Sequence, residues 1–285
     1  MASLTSTAGL GRRATLIDPL APLRGLRVGV HYGTNRYVEE HGRARASVAS
    51  FEIVAKTDRG LTVGRDEMAA RFADLCAAAT QQTPTISFIP LTRSRHARDP
   101  GDTLQRQGYT HVWDVTLGGQ AERFRLVSDA ASAEMVASGM WLYGGFDARQ
   151  PLHLFRSLRE LRFTANADPT HSDYLGLHRA GVVTCFRTGR SRGAIRETVT
   201  HELFHTLSWG ARDSRLIPRA LCLTMELDGD DLQSGPLQRD NYATAQLEEQ
   251  WAQTGMYWAR RQNGRGAIYP HRFALVEAAL RGVFG

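Results

Sequence analysis

The run His201-Glu202-Leu203-Phe204-His205 sets two imidazoles four residues apart, with a carboxylate directly after the first. On an α-helix, positions four apart differ by about 40° in azimuth and lie about 6 Å apart, so both rings can reach one divalent cation from a single face. Glu202 projects about 100° from His201, beside that face, where its carboxylate can take a proton from water activated at the cation instead of binding the cation itself. The chemistry this predicts is zinc-assisted hydrolysis, with His201 and His205 as half of the ligand set and Glu202 as general base. The flanking residues suit a helix: Glu197-Thr198-Val199-Thr200 leads into the motif without a proline, and a strand-like stretch precedes it.

A catalytic zinc takes three protein ligands and leaves a fourth position for water, so one more ligand is expected downstream. A third histidine of the HExxHxxGxxH kind is excluded, because Ser208 and Ala211 stand where Gly and His would be needed. Glu226 lies 21 residues beyond His205, but Met225-Glu226-Leu227-Asp228-Gly229-Asp230-Asp231 reads as a surface turn, which makes it the runner-up. The helix-forming run from Tyr242 to Gln253 offers Glu248 and Glu249. Seven residues of helix fall about 20° short of two turns, so Glu249 shares a face with Tyr242, whereas Glu248 points about 120° away. Glu249 is therefore the expected third ligand, and Tyr242 the expected donor to the oxyanion that forms when water adds to a carbonyl.

With Glu249 placed 44 residues after His205 inside Glu-Gln-Trp-Ala-Gln, and Tyr-Ala seven residues before it, the pattern resembles that of the gluzincin metallopeptidases of the anthrax lethal-factor-like type. The likeness spans roughly residues 175 to 255. It implies zinc held by His201, His205 and Glu249, the base Glu202, the transition-state donor Tyr242, and a protein or peptide substrate. Gln250, Trp251 and Gln253 depart from the family's more usual acidic and Phe residues.

These side chains need elements to carry them. Ser191 is placed to cap a helix running to about Trp209, and Gly210 to end it. Leu177 to Phe186 reads as one strand before that helix, and Ala180 to Phe186 as a rim strand able to pair with an extended peptide. A further helix is expected from near Asp240 past Trp258, and a last one from Pro270 to near Phe284. Upstream, Leu26 to Tyr32 alternates like a strand, and Phe51 to Ala55 with Leu61 to Val63 reads as a hairpin. A helix over Arg65 to Thr80, a strand Ile86 to Ile89, and a hairpin of His111 to Leu117 with Arg123 to Val127 follow. Leu152, Phe155, Leu158 and Leu161 recur as on an amphipathic helix. The expected class is α+β and zincin-like, a mixed β-sheet with a metal-binding helix and a C-terminal helical part. Its expected parts are a flexible segment 1–24, a β-rich part 25–150 and a catalytic region 151–285, with the β-rich part free to belong to the same domain.

The chain has 285 residues, 42% apolar and 22% charged, enough for a sizeable core. It holds no apolar run of membrane-spanning length and no leader with an apolar core, which points to the cytoplasm or to secretion by a signal-peptide-independent route, as for a bacterial effector or toxin. Three cysteines without a CxxC spacing argue against a disulfide framework. Net charge is +6, Lys56 is the only lysine, and the arginines are spread along the chain, so nucleic-acid recognition is not favoured. Arg187, Arg190, Arg192 and Arg196 cluster before the motif helix and suggest a preference for acidic substrate residues. His171, His178 and His271 read as surface or packing residues, and Trp251, Met256 and Trp258 as helix packing. The alternative from another class is a non-enzymatic basic interaction or nucleic-acid-binding module with a structural HExxH helix. The same zinc triad could also act on a non-peptide amide or ester.

Overall fold

In chain order the elements are β1 (Leu26–Tyr32), β2 (Arg36–Glu40), β3 (Arg43–Ser47), β4 (Phe51–Thr57), α1 (Arg65–Gln82), β5 (Phe88–Arg93), α2 (Asp102–Arg106), β6 (His111–Leu117), β7 (Arg123–Ser128), α3 (Ala133–Ala137), β8 (Arg149–Pro151), α4 (Leu152–Phe155), β9 (Glu160–Phe163), β10 (Gly176–Arg179), β11 (Val182–Cys185), α5 (Arg192–Trp209), α6 (Leu216–Leu227), α7 (Leu247–Arg261) and α8 (Pro270–Leu280). This computed structural model describes residues 21–23, 26–32, 36–40, 43–47, 51–57, 59, 61–82, 88–93, 98–117, 123–139, 141–142, 149–155, 157–209, 216–228, 247–261 and 269–282.

A seven-stranded sheet in the order β10-β11-β9-β7-β6-β5-β8 forms the centre. It is mixed: β9 runs parallel to both β7 and β11, and the remaining pairs are antiparallel. Phe124 and Leu126 on β7, Leu161 and Phe163 on β9, and Val183 and Cys185 on β11 alternate into one buried face, as the two-residue period of a strand requires. α5 lies against β10 and β11 and answers them with Ile195, Val199 and Leu203, an apolar stripe at four-residue spacing. The class is α+β, as expected: a mixed sheet, one long helix beside its edge, and a C-terminal set of helices. Among the described residues, no helix is long and apolar enough to cross a membrane.

Several expectations need correction. Residues 177–186 are not one strand but a hairpin, β10 and β11, because Ala180 (φ 50°) and Gly181 (φ 79°) both take the left-handed backbone of a two-residue hairpin turn. The rim strand is therefore β10, and 182–185 lies one strand inside it. The spacing through Leu161 gives only the single turn α4, because Leu161 and Phe163 belong to β9, bonded on both sides. Phe51–Thr57 pairs with Leu26–Tyr32 and not with residues 61–63. β5 lies later than expected, and β2 and β3 were not foreseen.

The stretch around Glu226 is also not a surface turn. Glu226 falls within α6, and Asp228 just beyond it has a fully buried side chain. That carboxylate accepts the His271 and Arg272 main-chain N–H groups at 2.9 and 3.2 Å, so it caps α8 from another segment, and Arg272 Nε donates to it at 3.2 Å. Pro270 opens α8 as expected, and the helix ends at Leu280. The lead-in 1–20, the turn 118–122 and the segment 240–246 lie outside the described residues.

Candidate metal centre

α5 begins where the sequence suggests. Ser191 Oγ accepts the Ala194 N–H at 3.3 Å, one of the orphan donors of a helix start. Two turns on, His201 and His205 point to the same side, their ring centroids 4.8 Å apart and their planes nearly perpendicular.

α7 brings Glu249 to them. Trp251 Nε1 donates to the Phe204 carbonyl at 2.9 Å, and the two rings meet edge to face at 5.6 Å. One turn farther, Gly255 faces Phe204 so closely that a Cβ would collide with the ring, which lets the helices approach. Glu249 Oε2 then lies 3.0 Å from His201 Nε2 and 3.4 Å from His205 Nε2, while the two Nε2 atoms are 3.2 Å apart. Four-coordinate zinc with its usual bonds near 2.0–2.2 Å separates its ligand atoms by about 3.3 Å, so these three atoms have the spacing of one face of a zinc tetrahedron. Two imidazole nitrogens this close to each other and to a carboxylate suit a cation better than a set of lone pairs. Among the described residues this trio is the one group with metal-ligand spacing.

Burial opposes the charge on Glu249, yet hydrogen bonds from His201 and His205 outweigh it and hold the carboxyl at about 2. Glu202 behaves in the opposite way. It is almost fully buried, and burial raises its pKa despite the nearby imidazoles and the His178 main-chain N–H. A carboxylate that holds a proton more readily than usual suits a group that must accept one and pass it on.

Glu202 is enclosed by β10. A Cβ on Gly176 would stand 2.5 Å from Glu202 Oε1, so only glycine leaves room for the carboxylate. The Phe186 N–H donates to the Leu175 carbonyl, which fixes the alternation along β10: residues 175, 177 and 179 face β11, and Gly176 and His178 turn their main-chain groups to the open edge. A cleft of about 530 Å³ follows, lined by residues 173–176, by Glu197, Thr198, His201 and Glu202 of α5, and by Gln253, Met256, Tyr257 and Arg260 of α7.

Of the residues expected from sequence, His201, His205 and Glu249 converge, Glu202 stands beside them, and Tyr242 lies outside the described residues. Among the arginines before α5, Arg187 donates to the Ser172 carbonyl, while Arg190 lines the cleft and donates to Thr198 Oγ1 and the Phe186 carbonyl. His171 stacks on Tyr174, and His271 is bonded to Asp228. Trp251, Met256 and Trp258 are buried as expected, Met256 also forming cleft wall. Sequence reasoning missed Gly176, Gly255, Glu197, Tyr257 and Arg260. Glu197, four residues before His201 on the same face, carried a usable signal.

No family model matches the chain, and no curated protein matches it by sequence. Among solved structures, a glutamate-to-alanine variant of the M1 zinc metallopeptidase from Deinococcus radiodurans is similar at 15% identity over 90% of this chain. The chain spans 55% of that structure's length, and the TM-score of 0.20 is too low to assign fold or activity.

Proposed function

We propose that the protein is a zinc-dependent endopeptidase in which His201, His205 and Glu249 hold the metal and Glu202 is the general base. One observation carries this reading: three donor atoms 3.0 to 3.4 Å apart, set beside a nearly buried carboxylate at the open edge of a strand. Zinc, when bound there, supplies a Lewis acid that polarises a carbonyl and brings the pKa of water down to about 7.

The remaining work falls to the chain. The main-chain groups of Gly176 and the His178 carbonyl would bind an extended peptide as an added strand, which sets its carbonyls in register with the cleft. Glu202 takes the proton of the attacking water and delivers it to the leaving amine. The His178 N–H aims its carboxylate, and Gly176 leaves the space that carboxylate needs. Tyr242 is assigned the donor that steadies the oxyanion, as its position seven residues before Glu249 suggests.

Elemental analysis and peptide digestion test this directly. The purified protein is expected to carry one zinc per chain and to cleave unfolded protein. Glu202→Gln is expected to keep the zinc and lose about 10²- to 10⁴-fold in turnover, the contribution of a positioned base. A protein without stoichiometric metal, or a Glu202→Gln variant that cleaves as well as its parent, would overturn the assignment.

A further inference from the structure

The cleft beside Glu202 runs along the groove between α5 and α7, walled by Leu175, Ala194, Met256 and Tyr257. Two charged side chains cross that groove. Glu197 stands one turn before His201 on α5; Arg260 stands eleven residues, about three turns, after Glu249 on α7, so each shares the face of a candidate ligand. Arg260 Nη1 lies 3.3 Å from Glu197 Oε1, both side chains remain partly exposed (26% and 36%), and the guanidinium sits over the Tyr257 ring at 5.6 Å.

We infer that the Glu197–Arg260 pair determines specificity by selecting a long uncharged side chain that both donates and accepts hydrogen bonds, namely glutamine, beside the cleaved bond. The inference rests on the peptidase reading above. A carboxamide can donate to Glu197 and accept from Arg260 while the two charges stay neighbours. An acidic side chain in the same place meets Glu197, and a basic one meets Arg260, each with like-charge repulsion. An apolar side chain covers the pair and returns no hydrogen bond. The methylene stem of glutamine fits the wall formed by Met256 and Ala194. Of the other charged groups lining the cleft, Arg190 is bonded to Thr198 and the Phe186 carbonyl, Asp173 opposes it in sign, and Glu202 belongs to the metal side. No excess of either charge draws a charged residue in.

Digestion of a degenerate peptide library by the full chain tests this. Glutamine is expected to exceed glutamate and lysine about tenfold at one position next to the cut. Glu197→Gln leaves Arg260 uncompensated and moves the preference to glutamate; Arg260→Gln moves it to lysine. The exchange variant Glu197→Arg with Arg260→Glu rebuilds the pair in reverse and brings glutamine back. Because a partly exposed pair of this kind contributes little to stability, these variants are expected to fold. Affinity of the same peptides for the Glu202→Gln protein, read by tryptophan fluorescence without turnover, should rank in the same order. Metal-dependent cleavage whose preference neither single variant moves, or that favours leucine or phenylalanine throughout, overturns the inference and leaves the peptidase reading intact. Absence of metal-dependent cleavage by the unaltered protein overturns the peptidase reading, and the preference with it.

Discussion

Gly255 on α7 packs directly against the ring of Phe204 on α5, with no room between them for even one methyl group. Phe204 is the residue before His205, and Gly255 stands six residues after Glu249 on the helix that delivers it. The contact therefore sets how far the Glu249 carboxylate lies from the two imidazoles, a distance a zinc site tolerates only within a few tenths of an ångström.

Gly255→Ala should separate the helices. Overpacking of this kind costs about 1–3 kcal/mol, and the shift of α7 draws Glu249 off the histidines. The expected result is a lowered melting temperature together with a loss of zinc affinity. Trp251→Phe adds no atom between the helices; it deletes the bond to the Phe204 carbonyl and part of the buried indole, so it should lose stability while retaining the metal. Thermal melts paired with zinc titration separate the two, and equal zinc affinity in Gly255→Ala and its parent would refute the spacing role.

What could be read in the chain was whatever depends on local period. His201, Glu202 and His205 share a helix, and Glu249 lies in a run of helix formers; its choice over Glu248 rests on Tyr242, which lies outside the described residues. The hairpin β10–β11 was hidden because Ala180 carries no visible mark of its left-handed backbone, so the apolar run 182–186 joined seamlessly to 177–179. β9 was hidden because Leu158 and Leu161 fit a helical spacing, and only pairing with two distant strands decides otherwise. Gly176 and Gly255 were unreadable for a related reason: a missing side chain matters only once its neighbour in space is known. Asp228 sat in an acidic, glycine-containing run that reads as solvent-exposed, yet its partners lie more than forty residues on.

Gly176→Ala should separate the base from the metal. The added methyl meets the Glu202 carboxylate and its stem, while His201, His205 and Glu249 are untouched. Displacing a reacting group by about 1 Å costs on the order of 10²-fold in rate. The variant should hold zinc stoichiometrically and lose kcat far more than KM rises. Full turnover would show that Glu202 reaches its working position without the space Gly176 leaves.

Asp228→Asn should destabilise the C-terminal helices from a distance. Asp228 and Arg272 form an ion pair with both side chains fully buried, and removing one charge strands the other. Such a loss costs about 3–5 kcal/mol, more than the cap of α8 alone is worth. Chemical denaturation should show a lower midpoint at unchanged slope. Asp228→Asn combined with Arg272→Met should recover part of the loss, since it leaves no unpaired charge.

His178 gives the metal-free protein a stability that depends on pH. Burial, with a smaller push from His205, lowers its imidazole to about 4, and its Nε2 accepts the Gly181 N–H at 3.3 Å, which suits the neutral ring. The unfolded chain protonates this ring near the ordinary 6.5, so between that value and about 4 the unfolded state binds more protons and stability rises with pH. The contribution is complete above 6.5 and disappears as pH falls through the folded value. Allowing for the ring's partial exposure, it amounts to about 2 kcal/mol. His178→Gln, which keeps an acceptor for Gly181, should lose less stability than its parent between about pH 7 and about pH 4.5 in urea. His205, Glu202 and Glu249 titrate in both proteins, so the difference reports His178 together with its coupling to His205. Parallel curves would mean that the ring takes up its proton in the folded protein as readily as it does in the open chain.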